Sequence, residues 1–141
     1  MRVAGTTGVY DDLGVKLIIN AMGIMTMLGG STIGPRVRAA MEEANESFVD
    51  MAELLDKSGR TIAGLLSSEA ALVTSGAFAA LVLGAAGIMT GKDPERIARL
   101  PDVTGMKHEF LIQAPVRYHY DRAPSVAGGR LVDVGDQRGT T

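Results

Sequence analysis

The residues best suited to chemistry stand at a predicted junction between a strand and a helix, Ala71-Leu72-Val73-Thr74-Ser75-Gly76-Ala77. A helix that begins at this turn directs its unpaired backbone N–H groups and the positive end of its dipole toward the turn. Ser75 adds a hydroxyl, and Gly76 has no side chain to keep an anion away from the backbone. The pattern therefore predicts a phosphate-binding turn. The alternative is an ordinary serine N-cap, which is common at helix starts.

Two histidines and a short aromatic cluster are weaker candidates for a site. His108 precedes Glu109, and His119 stands two residues before Asp121, but neither pair has a third ligand at a spacing typical of zinc sites. The run from Tyr118 to Tyr120 contains rings that stack on bases in other proteins, yet no basic surround accompanies it. The sequence also contains no Walker-type loop and no GxGxxG motif. We therefore predict no metal site.

Composition narrows the classes of protein to consider. The 141 residues carry 14 Lys and Arg against 16 Asp and Glu, so no basic face for nucleic acid is expected. The absence of cysteine excludes disulfides and cysteine nucleophiles, and it fits a reducing cytoplasm, which is the expected location. With three Phe, three Tyr and no Trp, the core must consist mainly of aliphatic residues and some of the eight Met.

One uncharged run, Ala70 to Gly91, is long enough to cross a bilayer. It is rich in Ala and Gly, however, and Thr74-Ser75-Gly76 interrupts it. A buried strand, a turn and a helix explain the run better than a membrane span. The first 14 residues lack the apolar stretch of a signal peptide. We therefore expect no membrane association.

An apolar stripe upstream of the junction predicts helices. Pro35 suits the first position of a helix, and apolar residues then recur at steps of four and three. These residues are Val37, Met41, Ala44, Phe48, Met51 and Leu55. Asp50 and Glu53 resemble a capping box, which favours two helices joined near Val49 over one long helix or a coiled coil. The second helix is predicted to reach Leu66.

The remaining elements alternate between strand and helix. A helical turn is predicted at Tyr10–Gly14, short strands at Leu17–Ile19 and Ala70–Thr74, and an apolar helix at Ala77–Met89 that should lie inside something larger. Further elements are a short helix from Asp93 to Leu100, a strand at Glu109–Gln113, a turn or short helix at Tyr120–Ala127 and a strand at Arg130–Val134. Such alternation predicts an α/β fold with a parallel, helix-covered sheet.

Several segments resemble, in this order, the selenocysteine-synthase-like enzymes, which are pyridoxal-phosphate enzymes of the aspartate-aminotransferase fold class (fold type I). The resemblance begins with Ile19-Asn20-Ala21-Met22-Gly23, Leu28-Gly29-Gly30-Ser31 and Val73-Thr74-Ser75-Gly76-Ala77, and continues with Arg96 to Gln113, Tyr120-Asp121 and Leu131-Val132-Asp133-Val134-Gly135. It covers roughly Tyr10 to Asp136, and the ordered set is more specific than any one motif. It implies part of the three-layer sheet of the large domain, with N-terminal helices.

The resemblance implies that the chain contributes to a pyridoxal-phosphate site. Ser75, Gly76 and Ala77 match the turn that grips the cofactor phosphate. In many relatives a histidine or an aromatic residue stacks on the cofactor ring, but the aligned position here is Val116. His119, or a tyrosine on either side of it, is the implied substitute.

The resemblance also implies a role for the N-terminal loop. That loop matches a segment near the active site that often crosses a dimer interface, so a homo-oligomer is implied. Its implied substrate-binding residues are Asn20, Gly29, Gly30 and Ser31. The substrate of the parent enzyme would be a small molecule of the amino-acid type.

The lysine that holds the cofactor in this family, and the acid that pairs with the pyridine nitrogen, match nothing in this chain. Its four lysines, Lys16, Lys57, Lys92 and Lys107, stand in polar or turn settings and are expected at the surface. The chain also ends directly after a strand. We expect a truncated N-terminal part with an arm (1–14), a segment with amphipathic helices (15–66) and the beginning of the cofactor-binding large domain (67–141).

Two classes of function fit these residues. The first is a fragment of an enzyme for elimination or replacement on an amino acid, inactive alone. Its parent would transfer selenium to seryl-tRNA or, like the glucosaminate-phosphate lyases of the family, release ammonia from an amino-sugar acid. The short stretch before Leu17 and the mild acidity disfavour tRNA. The second class is a non-catalytic binding module or a decayed remnant that acts through oligomerisation.

Overall fold

A computed structural model describes residues 8–118, 120–136 and 138–139. By packing, the chain divides into two compact units, Met1–Phe48 and Val49–Thr141. Within the second unit, Gly59 lies against the carbonyl group of Ala71, and the predicted boundary after residue 66 stays a prediction. The assignment of residues 67–141 to a cofactor-binding domain stays a prediction.

The first unit consists of short helical segments joined by loops. Helix α1 spans Val9–Asp12, a 3-10 turn spans Thr26–Leu28, and helix α2 spans Pro35–Ala44. Pro35 occupies the first turn of α2, as predicted. The loop between α1 and α2 is held by an isolated antiparallel bridge between Met25 and Gly30.

The second unit begins with helix α3, Met51–Leu66. The carboxylate of Asp50 accepts a hydrogen bond from the backbone N–H of Glu53 at 2.9 Å, so the predicted cap is confirmed. The alternatives of one long helix and of a coiled coil are wrong, because α2 ends at Ala44. Helix α4 spans Ala77–Thr90 and ends at Gly91, and helix α5 spans Pro94–Arg99.

Strands β1, Glu109–Gln113, and β2, Arg130–Val134, form a parallel pair, as predicted. The register aligns Glu109 with Arg130, and their side chains form an ion pair across the strands. The connection between the strands passes through a 3-10 turn at Ala114–Val116 and helix α6, Ala123–Val126. The fold is therefore α/β, with helices and a small parallel sheet.

Two predicted strands are wrong. Residues 17–19 and 70–74 have no strand assignment, and no other part of the described chain pairs with them as a neighbouring strand. A β-strand requires hydrogen bonds to a neighbouring strand. An apolar run in the sequence predicts burial, but it does not show that a neighbouring strand is present. The turn after residue 73 therefore follows an irregular segment.

The core of the second unit is small and aliphatic, as the composition predicts. Ala85 and Met89 of α4 are buried, together with Ala123, Ala127 and Met106. The other side of α4 stays open; for example, Ile88 is 77% exposed. Among the described residues, no helix is long and apolar enough to cross a membrane.

The close contact between α3 and the segment after it yields a first prediction. A Cβ atom on Gly59 would lie 2.3 Å from the carbonyl oxygen of Ala71, and a backbone atom cannot move aside cheaply. We expect Gly59→Ala to lower the free energy of unfolding by about 1–3 kcal/mol, despite the better helix propensity of alanine. Urea unfolding followed by circular dichroism measures the change.

Gly64→Ala is the matched control on the same helix. A Cβ atom on Gly64 meets nothing within 4 Å, so this substitution is expected to stabilise the chain by about 0.5–1 kcal/mol. A Gly59 variant as stable as the Gly64 variant would contradict the proposed contact.

Candidate functional site

The predicted phosphate-binding turn lies where α4 begins. Gly76 is the N-cap residue, and no side chain caps the helix, so the reading of Ser75 as an ordinary N-cap is wrong. The first helical hydrogen bond runs from the N–H of Ala80 to the carbonyl oxygen of Gly76 at 3.0 Å. The hydroxyl of Thr74 donates to the same carbonyl at 3.0 Å. Thr74 therefore orders the turn, and the hydroxyl of Ser75 has no hydrogen-bond partner among the described residues.

The first turn of α4 presents free hydrogen-bond donors. Within the described part of the chain, the N–H groups of Ala77, Phe78 and Ala79 have no acceptor. Ser75, Gly76 and Ala77 are exposed, and no acidic residue stands in the first turn. Free N–H groups at the positive end of a 14-residue helix suit an anion. The turn therefore fits a phosphate group.

A second cluster of polar groups lies after β1. Arg117 Nε donates to Asp121 Oδ2 at 2.5 Å, and Arg117 Nη1 donates to Asp133 Oδ1 at 2.6 Å. The side chain of Asp121 is only 8% exposed, and it also accepts the N–H of Tyr118 at 3.2 Å. Through Arg117, the loop after β1 is tied to β2.

These bonds shift two ionisation equilibria. The Arg117 guanidinium, and after it the N–H of Tyr118, lower the pKa of Asp121 below its usual value of 3.8. The hydrogen bonds to Asp121 and Asp133 raise the pKa of Arg117. Asp121 therefore contributes stability that is present above pH 3.8 and is lost as the pH falls through its lowered pKa.

A second prediction tests this cluster. Arg117→Met is expected to raise the pKa of Asp121 toward 3.8, because its main hydrogen-bond donor is lost. A carboxyl-carbon NMR titration of the aspartates measures the shift. The control is Arg99→Met. The pKa of Asp102 is lowered first by hydrogen bonds from Thr104 and only then by Arg99, so this substitution should change it less. If Asp121 kept its lowered pKa without Arg117, the assigned cause would be incorrect.

The aromatic residues named as ring-stacking candidates are only partly described. His119 lies outside the described residues. The rings of Tyr118 and Tyr120 form an edge-to-face pair with centroids 6.0 Å apart. Val116 belongs to the 3-10 turn after β1. The loop that Arg117 anchors carries the residues predicted to stack on a cofactor ring, and this role stays a prediction.

The structure brings together the four residues predicted to bind substrate. Asn20, Gly29, Gly30 and Ser31 all line one cleft of the first unit. The side chain of Asn20 closes a turn, since it donates to the carbonyl of Gly23 at 2.7 Å and accepts the N–H of Met22 at 2.9 Å. Asn20 thus has a structural task beside its predicted role. The predicted role in substrate binding stays untested.

The four lysines are all exposed, as expected. Lys57 pairs with Glu53 at 2.5 Å on the surface of α3, and Lys16 lines the cleft of the first unit. Lys16 was not predicted to line the cleft, because part of the lining, for example Ser31, is distant from it along the chain. Among the residues that the structure describes, no group of three or more His, Cys, Asp or Glu is placed to hold a metal ion.

Two curated proteins resemble the chain over almost all of its length. D-glucosaminate-6-phosphate ammonia lyase of Salmonella typhimurium (strain 14028s / SGSC 2262) is 34% identical over 134 residues, which are 92% of this chain and 36% of that protein. 5'-C-glycyluridine monooxygenase-decarboxylase of a Streptomyces species is 34% identical over 139 residues, which are 95% of this chain and 35% of that protein. The chain thus spans about a third of the length of these relatives.

A solved structure of a D-glucosaminate-6-phosphate ammonia-lyase shows the same architecture. The two chains superpose with a TM-score of 0.85 at 34% identity, and the match covers 94% of this chain and 37% of the solved chain. No protein-family model matches the chain. The comparisons support a mixed helix and sheet fold that corresponds to part of a larger enzyme.

Proposed function

We propose that this chain supplies the N-terminal part of a pyridoxal-phosphate enzyme that releases ammonia from an amino acid of the amino-sugar type. The observation that carries the proposal is the free first turn of α4, where Ser75, Gly76 and Ala77 would hold the cofactor phosphate. The ammonia lyase among the relatives supports the reaction class. On this proposal, β1 and β2 belong to a larger three-layer sheet of fold type I, and the enzyme works in the cytoplasm as a homo-oligomer.

The residues of this chain would bind and orient the cofactor. The N–H groups of Ala77, Phe78 and Ala79 would donate to the phosphate oxygens, and the hydroxyl of Ser75 would add a further donor. Gly76 would allow close approach to the backbone. A bound cofactor would supply an electron sink for chemistry next to an amino group. The anchored loop at Arg117 would position Tyr118 or Tyr120 beside the ring.

The two relatives indicate which task belongs to this part of the enzyme. They are 34% identical to the chain over nearly the same stretch, yet one is named an ammonia lyase and the other a monooxygenase-decarboxylase. A stretch that serves two reactions cannot by itself choose between them. We therefore assign binding to this stretch and the choice of reaction to residues outside it. Selenium transfer and a tRNA substrate receive no support from either relative.

The exposed side of α4 favours a second candidate function. Ile88 at 77% exposure and its apolar neighbours would suit a non-catalytic module, or a decayed remnant, that acts by associating with other copies. Such a module needs no cofactor.

Titration of the chain with pyridoxal phosphate, and in parallel with pyridoxal, separates the two candidates. We expect saturable binding of pyridoxal phosphate, mapped by NMR to residues 75–79, and much weaker binding of pyridoxal, which lacks the phosphate. Borohydride reduction should give no stoichiometric adduct on a single lysine, since none of the four lysines matches the family's anchor. Equal binding of both compounds would refute the phosphate turn and favour the non-catalytic module.

A further inference from the structure

The segment 117–122, here called the aromatic loop, carries the two tyrosines predicted to stack on a cofactor ring, and one arginine ties it down in two directions. Arg117 Nε donates to Asp121, four residues further along the chain, whereas Arg117 Nη1 donates to Asp133 on β2. The first bond lies within the loop, and the second connects the loop to the sheet. The two carboxylates therefore have different tasks.

The bond to Asp121 fixes the internal shape of the aromatic loop. The carboxylate of Asp121 also accepts the N–H of Tyr118 at 3.2 Å, and the N–H of Asp121 donates to the carbonyl oxygen of Tyr118 at 3.0 Å. These bonds join residues 117–121 to one another and support the edge-to-face pair of Tyr118 and Tyr120. They do not determine where the loop lies relative to β2.

Asp133 supplies the connection to the sheet. It is the last residue but one of β2 and is in register with Ile112 of β1, so it lies near the carboxyl end of the parallel pair. Loops at that end of parallel strands commonly build ligand sites. In the described part of the chain, no backbone hydrogen bond joins residues 117–121 to β2. The bond of 2.6 Å from Arg117 Nη1 to Asp133 Oδ1 therefore holds the loop against β2.

This pairing should be more effective than an ordinary surface ion pair. An exposed pair gains little, because two mobile side chains must be ordered. Here the side chain of Asp121 is nearly buried, and it already holds one edge of the planar guanidinium group of Arg117. Since that group is oriented before it reaches Asp133, the second bond costs less side-chain entropy. A change at Asp133 should therefore move the loop and leave its internal bonds intact.

We propose that Asp133 is a positioning residue for the aromatic loop: by pairing with Arg117, it sets where Tyr118 and Tyr120 lie relative to the carboxyl end of β2. The inference rests on the proposed function, in which one of these rings stacks on the cofactor. The turn at the start of α4 would supply most of the affinity for the cofactor, and the position of the loop would set the surroundings of the cofactor ring. These two properties should respond to different substitutions.

Asp133→Asn is the test, because it keeps the shape of the side chain and removes the charge that strengthens the bond. Pyridoxal phosphate has no circular dichroism of its own, and its absorption bands acquire one when the ring is held in chiral surroundings. At saturation we expect this induced signal to fall by about half or more in the variant, while the affinity falls less than about threefold. A merely structural role would lower stability without changing the signal of the folded, saturated variant.

Glu109→Gln is the matched control. Glu109 is also an exposed acid of the sheet that pairs with an arginine, but it lies at the opposite end of the strand pair. The substitution removes the same charge and should leave the induced signal unchanged. An equal loss of signal in both variants, or a full signal in Asp133→Asn, would overturn the proposal.

NMR spectra of the chain without cofactor separate this inference from the proposed function. Asp133→Asn should remove the nuclear Overhauser contacts between Arg117 and β2 and shift the amides of residues 117–122, while the N–H of Tyr118 stays protected from exchange. Changes confined to β2 would refute the positioning role. If the wild-type chain bound no pyridoxal phosphate, the proposed function would fail, and these spectra would still decide whether Asp133 places the loop.

Discussion

Ser75→Asp is expected to weaken pyridoxal phosphate binding roughly tenfold or more, without destabilising α4. The new carboxylate would stand beside the free N–H groups of Ala77, Phe78 and Ala79 and would repel the phosphate while competing for the same donors. A negative charge near a helix N-terminus is itself favourable, by about 0.3–1 kcal/mol. The variant thus separates ligand binding from folding.

Two measurements check this expectation. Titration with pyridoxal phosphate gives the affinity, and thermal unfolding gives the stability of the variant. Ser47→Asp is the control, because it adds the same charge at an exposed position in the loop between α2 and α3. Unchanged affinity in the Ser75 variant would show that the α4 turn does not hold the phosphate. A lower affinity accompanied by loss of helix would point to misfolding, and Ser75→Ala then isolates the hydroxyl.

Gly128→Ala is expected to lower the free energy of unfolding by about 3 kcal/mol or more. Gly128 has a φ of +98°, which alanine rarely adopts. An added Cβ would also lie 2.3 Å from the carbonyl oxygen of Pro101 and 2.8 Å from Cγ1 of Val103. Backbone strain and a steric clash therefore act together just before β2.

Gly105→Ala separates the two causes. Gly105 has a φ of +79°, but an added Cβ meets nothing within 4 Å, so only the strain applies. We expect that variant to lose about 1 kcal/mol. Urea unfolding of both variants measures the difference, which reports the clash alone. Equal losses would mean that the segment near Pro101 moves aside at little cost.

Elements that depend on local signals were predictable from the sequence. Pro35 begins α2, Asp50 caps α3 and Gly91 ends α4, and each signal acts within one turn of a helix. The predicted strands at residues 17–19 and 70–74 failed because pairing depends on a distant partner. The choice of Gly76 over Ser75 as the N-cap was equally hidden, since both residue types are accepted there.

The candidate sites, too, were predictable only where their residues are close together in the sequence. The turn at Ser75 was predictable because its residues are adjacent in the sequence. The ion pairs of Arg117 with Asp121 and Asp133 were not, since the second spans 16 residues. Lys16 and Arg38 line the same cleft of the first unit although they are distant along the chain. No local pattern encodes such long-range placement.

The parallel register of β1 and β2 has a consequence for divergence among relatives. Because both strands run in one direction, the loops that leave Gln113 and Val134 emerge at a common rim. Insertions in either loop would change the surface at that edge of the sheet without changing the pairing of β1 with β2. Relatives could then acquire new chemistry by lengthening one loop at a time. The opposite end of the strand pair, where Glu109 pairs with Arg130, would stay unchanged.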